Sequence, residues 1–244
     1  MQKDNFMKKI ISLIIAVVFI SSITFSQGYY FGLKGGPTLG FQQWNNIDQN
    51  VLIRYHGSVF IESLAEPGEF VLFAQTGYHE KGSSLRGLQV RNVNNVLTSL
   101  PTQGFIFRNI DLVLGVKQRL NSNFLGSTSA YYAFGIRGEY TVDDNLDEFS
   151  ALGAFSPLPG FVEEWNYGAT LSGGFEFQFS KFVGAVFEFS VHPDFSFQYI
   201  QPDIGFVRNP ITGIDQTISA RRIRNTALEI SLGLRFLREI IYVD

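Results

Sequence analysis

A chain of 244 residues fits one large β domain, because all-β barrels and sandwiches often run beyond about 200 residues as a single unit. Its 25 Phe, 10 Tyr and 24 Gly against 17% charged residues make it rich in aromatics and turn formers, which argues against a helical bundle. A net charge of −3 gives no basic field to hold nucleic acid, and the absence of cysteine excludes disulfides, thiolate metal sites and a lipid-modified N-terminal cysteine.

The first element in chain order is a leader. Lys8 and Lys9 precede the uncharged run IISLIIAVVFISSI, and Thr24, Phe25 and Ser26 follow with small residues at alternate positions. Basic, then apolar, then small is the order of a secretory signal peptide, with cleavage expected after Ser26 and 27–244 left as one domain. The alternative is a membrane-anchoring helix, since the uncharged stretch reaches Leu33. Its apolar core, however, is short of the ~20 residues a span requires. The mature chain is therefore expected to leave the cytoplasm.

Eight segments then alternate in polarity at every second residue, near 29–43, 52–64, 69–80, 104–120, 127–141, 164–179, 182–192 and 223–237. Alternation at period two is the signature of an extended strand with unlike faces. Most of these segments exceed the roughly five or six residues of an average strand, and spanning strands need ~9 to 11. The first segment sets Phe31, Leu33, Pro37, Leu39 and Phe41 against Gly32, Lys34, Gly36, Thr38 and Gln42. The last sets Leu228, Ile230, Leu232, Leu234 and Phe236 against Glu229, Ser231, Gly233 and Arg235. No later window holds a long uninterrupted apolar run, so a membrane crossing requires a closed barrel.

Hairpin register tests whether neighbouring faces agree. With AEPG at 65–68 as a turn, Ser58 faces Gln75 and Glu62 faces Val71; with a three-residue turn at 179–181, Ser172 faces Glu188 and Phe175 faces Ala185. Polar residues largely meet polar ones. The connections alternate in length: long near 44–51, 81–103, 142–163 and 193–222, brief between. That is the loop pattern of outer-membrane barrels, with both chain ends on the short-turn side.

These observations predict an all-β fold, an eight-stranded antiparallel up-and-down transmembrane β-barrel. The interior of such a barrel is just wide enough to be filled by side chains. The polar set expected there comprises Lys34, Arg54, Glu62, Asp111, Lys117, Arg137, Glu139, Glu176, Glu188, Glu229 and Arg235, whose opposite signs allow pairing across the lumen. The long aliphatic and aromatic set then faces outer-membrane lipid, with Tyr29, Tyr30, Trp44, Phe70, Phe179, Phe182 and Phe236 as interfacial girdles. A soluble lipocalin-like carrier reverses the two faces.

The segments YYFGLKGGPTLGFQQW and LEISLGLRF, together with the leader, resemble the PorT-like small outer-membrane β-barrel proteins of Bacteroidota. The resemblance implies an eight-stranded membrane barrel, often without an assigned activity, that the barrel-assembly machinery inserts. The chain departs from that pattern by continuing past Phe236 with LREIIYVD and by its long last loop.

No motif carries a cofactor. The glycines of GLKGGPTLG alternate as strand residues do, without opening a helix, and no nucleophile elbow is present. His56, His79 and His192 fall near the long-loop ends of their strands, a possible rim site for a metal or for a general base beside Ser83 or Ser84. The competing reading is rim residues hydrogen-bonded to Arg54, Glu80 or water. Asp143, Asp144, Asp147 and Glu148 lack the spacing and glycine of a calcium loop and read as a solvated acidic face. Arg86, Arg91, Arg208, Arg221 and Arg222 lie in long loops among apolar stretches such as FSFQYIQPDIGF, suited either to a partner or to a plug. The expected function is a non-enzymatic barrel that contacts an envelope or extracellular partner; the alternatives are a rim enzyme acting on lipid or peptide, and the soluble carrier.

Overall fold

Segments with one apolar and one polar face form stable sheets only if each face meets its own solvent. The computed structural model describes residues 28–45, 49–65, 69–86, 89–91, 97–99, 102–120, 128–149, 156–209 and 213–239; the leader at 1–26 lies outside them. The strands are β1 (Gly28–Trp44), β2 (Asn50–Ser63), β3 (Phe70–Leu85), β4 (Gln89–Arg91), β5 (Leu97–Ser99), β6 (Gln103–Arg119), β7 (Thr128–Asp144), β8 (Trp165–Gln178), β9 (Val183–Pro193), β10 (Tyr199–Gln201), β11 (Ile204–Arg208), β12 (Asp215–Ile218) and β13 (Arg221–Glu239). Eight of them pair in the order β1-β2-β3-β6-β7-β8-β9-β13, and β13 returns to β1. That last seam runs antiparallel from Gly28↔Glu239 to Trp44↔Ile223, so the cylinder has no free edge.

The two faces of β13 settle which solvent lies where. Leu228, Leu232 and Leu234 are 37%, 68% and 44% exposed, whereas Glu229 and Arg235 are buried at 3% and 8%. Every barrel strand repeats this arrangement, with Leu33, Val59, Leu72, Ile110, Ile136, Leu171 and Phe189 all outward and exposed. An apolar band around a whole molecule far exceeds the patches that water-soluble monomers tolerate. Hydrocarbon is the matching solvent, and the inside-out order rules against the carrier alternative.

Both tested hairpins pair two residues away from the expected register. Ser58 faces Gly77 and Glu62 faces Phe73, while Ser172 faces Ser190 and Phe175 faces Phe187. A slip of two leaves every side chain on its predicted face, which a slip of one would not. The cause in the second hairpin is a wider turn, in which the amides of Phe179 and Ser180 donate to the Val183 carbonyl at 3.0 and 3.1 Å. Strands also run further toward the loop end than expected, β3 to Leu85 and β7 to Asp144.

Phe70, Phe179 and Phe182 are exposed girdle residues as expected. Tyr30 and Trp44 are not. Both carry the inward parity of β1: Tyr30 lies under Arg235, its ring centroid 3.4 Å from the guanidinium carbon, and Trp44 packs against Phe105 at 5.2 Å between ring centroids.

At the loop end an apolar cap closes the mouth. Phe105, Phe107, Leu146, Tyr199 and Ile223 form its buried centre, with Trp44, Leu85, Phe149, Phe161 and Val162 around them. The 3-10 turn Pro159–Phe161 and an isolated bridge between Val162 and Tyr199 bring the two longest connections together over the lumen. The last loop has two parts. Its first part turns inward, and β10 adds to β13. Its second part, the hairpin β11–β12, stands away from the barrel sheet.

Candidate functional site

Ten of the eleven residues expected in the lumen lie inside it, sorted into two charge networks. Nearer the turn end, Lys34 Nζ lies 2.6 Å from Glu188 Oε1, and Lys117 Nζ lies 2.6 Å from Glu62 Oε1 while also touching Glu176. Arg235 reaches Glu176 Oε2 at 2.5 Å, and Arg119 spans Glu176 at 2.8 Å and Glu62 at 3.2 Å. The Tyr131 hydroxyl donates to Glu188 Oε2 at 2.6 Å, and the Lys117 ammonium stands 4.0 Å from the Tyr131 ring centre. Each of the carboxylates Glu62, Glu176 and Glu188 thus has more than one cation, or a cation and a hydroxyl donor, aimed at it, the condition under which such burial is tolerated.

Toward the loop end, Lys81 Nζ lies 2.6 Å from Glu139 Oε2 and 3.5 Å from Asp194 Oδ1. Arg137 Nε lies 3.2 Å from Glu139 Oε2, and its terminal nitrogen pairs with Asp194. Beside this group the three histidines converge on Glu229, far from the rim where the sequence places them. His79 Nδ1 is 2.5 Å from Glu229 Oε1, and its Nε2 is 2.9 Å from Asp111 Oδ2. His192 Nε2 is 3.1 Å and His56 Nε2 is 3.7 Å from Glu229 Oε2. The reason is strand length. Because β3 extends to Leu85 and β13 begins at Arg221, what reads as a strand end is mid-barrel. Neither Arg54 nor Glu80 is a partner of these rings. Ser83, the proposed neighbour for a general base, bonds instead to Gln42 at 2.5 Å.

Above the histidines lies a layer of amides. Gln42 donates to Asn225 at 2.9 Å, Asn225 to Gln198 at 3.0 Å, and Gln198 to the Thr141 hydroxyl at 2.6 Å. Below them, a cavity of about 20 Å³ is lined by Lys34, Tyr131, Thr170, Ser172 and Glu188 among others. That is space for about one water. Cap, amides, histidines and salt bridges together fill the cylinder. Among the described residues the site therefore gives no substrate a path to the imidazoles, and no His, Asp or Glu group is arranged to hold a metal ion.

Arg54 is the exception among the expected lumen residues. A β-bulge between Val51 and His56 breaks the alternation of β2, and such bulges re-aim a side chain. The Arg54 side chain is 35% exposed, with Nε 4.0 Å from Glu80 Oε2. Arg108 lies 3.6 Å from the other Glu80 oxygen and pairs with Asp143, completing a ladder across β2, β3, β6 and β7. Asp143 thus belongs to this ladder. Asp144 instead accepts the Leu146 amide at 2.9 Å.

Sequence reasoning missed Lys81, Arg119, Tyr131 and Asp194. The first three share the inward parity of strands already identified, so the signal was present; Lys81 fell one residue beyond the expected end of its strand. Asp194 follows Pro193 in a loop, and nothing local indicates that it turns inward to Arg137. Of the loop arginines, Arg221 is buried and stacks toward Trp44, with 5.7 Å from its guanidinium carbon to the ring centre. Arg86, Arg208 and Arg222 are exposed, and the side chain of Arg91 lies outside the described residues.

No family model and no curated protein matches this chain. Solved structures do. The outer membrane protein OprG from Pseudomonas aeruginosa aligns at TM-score 0.51 and 9% identity over 86% of this chain and 96% of its own. Neisserial surface protein A aligns at 0.46 and 7% over 85% and 96%. The outer membrane protease OmpT from Escherichia coli aligns at 0.44 and 10% over 88% and 98%. At such identities the likeness to OprG is one of fold: this chain is an eight-stranded antiparallel barrel of the outer-membrane type.

Proposed function

We propose that this chain is a non-enzymatic outer-membrane protein of the PorT-like kind, whose sealed barrel presents a loop hairpin to an envelope or extracellular partner. The observation that carries this reading is the division of labour within the last loop. Asp194 and Gln198 are locked in the lumen, whereas in β11–β12 Phe206 is 93% and Ile214 67% exposed. Phe206 also holds a φ of +57°, a conformation that costs a bulky residue on the order of 1–3 kcal/mol. An exposed aromatic side chain held in an unfavourable backbone state fits a contact surface. The plug beneath gives the hairpin a fixed base. The apolar band supplies the contact with membrane lipid, and insertion falls to the barrel-assembly machinery.

A filled lumen argues against bulk transport. In planar bilayers at neutral pH the protein is expected to show no large stable conductance. An open channel on the nanosiemens scale would overturn the sealed-barrel reading. Recovery in the outer-membrane fraction, with gel mobility that changes on heating, is the expected result for its location; recovery as a detergent-free soluble monomer would contradict it.

A further inference from the structure

The hydrogen-bond partners of the three imidazoles fix where their protons sit. The Thr38 hydroxyl donates to Glu229 Oε1 at 3.2 Å, so at 3.0 Å it accepts from His56 Nδ1. His56 Nε2 is then left to accept from the Ser231 hydroxyl at 2.8 Å. His192 Nε2 lies between the Ser190 hydroxyl at 2.9 Å and the other Glu229 oxygen at 3.1 Å; the carboxylate can only accept, so it draws the ring proton to Nε2 and leaves Nδ1 to accept from Thr170 at 3.0 Å. His79 Nδ1 hydrogen-bonds Glu229 Oε1 at 2.5 Å, and its Nε2 stands 2.9 Å from Asp111 Oδ2 as an ion pair; a carboxylate beside each ring nitrogen favours the doubly protonated ring. The cluster is therefore complete with one imidazolium and two neutral rings of opposite tautomer.

A second imidazolium has no carboxylate of its own. The His56 ring stacks on His79 with centroids 5.8 Å apart and planes at 12°, and it also faces His192 and Lys34. His192 meets His79 at 5.9 Å and also faces Arg137. Glu229 is the carboxylate that faces both, and it already accepts from His79, Thr38 and His192. In a water-poor interior, like charges about 6 Å apart repel strongly. Thr38, His56, His79, Asp111, Thr170, His192 and Glu229 come from seven of the eight barrel strands, so strain here is shared around the wall.

We propose that His56, His79, His192 and Glu229 form a proton-sensing lock in the lumen, closed by a single proton on the imidazoles and loosened when acid forces in a second. Below about pH 6.8 three unfolded histidines of reference value about 6.5 together bind more than the one proton that the closed cluster holds, so stability rises with pH up to there; above it the proton kept on His79 reverses the slope. Each histidine held neutral down to pH 5 is expected to lower the folded-to-unfolded ratio about 25-fold between pH 7 and pH 5, taking about 6.5 as the unfolded reference.

Unfolding midpoints in detergent micelles at the two pH values test this on the wild type, His56→Asn and His192→Asn. Each substitution is expected to remove about one 25-fold factor from the pH response. Equal pH dependence in all three proteins would overturn the proposal. Should a variant fail to fold, ring-nitrogen NMR of the wild type decides: one imidazolium and two neutral rings at pH 7 support the lock, and two or more imidazoliums sink it.

Discussion

Replacing Glu229 by alanine is expected to cost the barrel about 3–5 kcal/mol, the usual loss when one member of a buried charge network is removed and its partners stay. Glu229 is 3% exposed and accepts from His79, His192 and Thr38, which come from β3, β9 and β1. Without it the imidazolium of His79 keeps Asp111 alone, and the Thr38 and His192 donors lose their acceptor. Glu229→Gln keeps part of the hydrogen bonding and none of the charge, so a smaller loss is expected. Chemical unfolding of the refolded protein in lipid vesicles checks both. A loss below about 1 kcal/mol for the alanine variant, the range of an exposed pair, would mean that the histidine–carboxylate cluster does not hold the lumen together.

The second large effect lies three residues along the same strand. Leu232→Arg is expected to destabilise the inserted barrel by about 2–4 kcal/mol, the cost of a guanidinium on the lipid face near mid-membrane depth. Leu232 is 68% exposed, and on a water-soluble surface the same change would fall within about ±0.5 kcal/mol. The variant therefore reads the identity of the outer solvent directly. Equal vesicle stability of Leu232→Arg and wild type would remove the bilayer from the account of this exterior.

How much the sequence reveals follows the range of the physics involved. The alternation in β13 is a property of neighbouring residues, so Glu229 and Arg235 could be assigned to one face and Leu228 and Leu232 to the other before any fold was known. That parity survived a two-residue error in the β2–β3 and β8–β9 registers. Turn width depends on carbonyl and amide geometry that residue type specifies weakly. Arg54 failed for the opposite reason, because a single extra residue in β2 breaks the alternation on which its assignment rested.

The amino-acid order alone determined the number of barrel strands, the sorting of their faces and the uneven lengths of their connections, because each is written in patterns a few residues long. Only the tertiary structure decided that three histidines from β2, β3 and β9 meet at one glutamate of β13, that Asp194 turns inward to Arg137, and that Tyr199 joins the cap over the mouth. Those meetings depend on strand stagger and loop path around a closed cylinder. Such quantities are set by all the pairings at once, and no local stretch of sequence contains them.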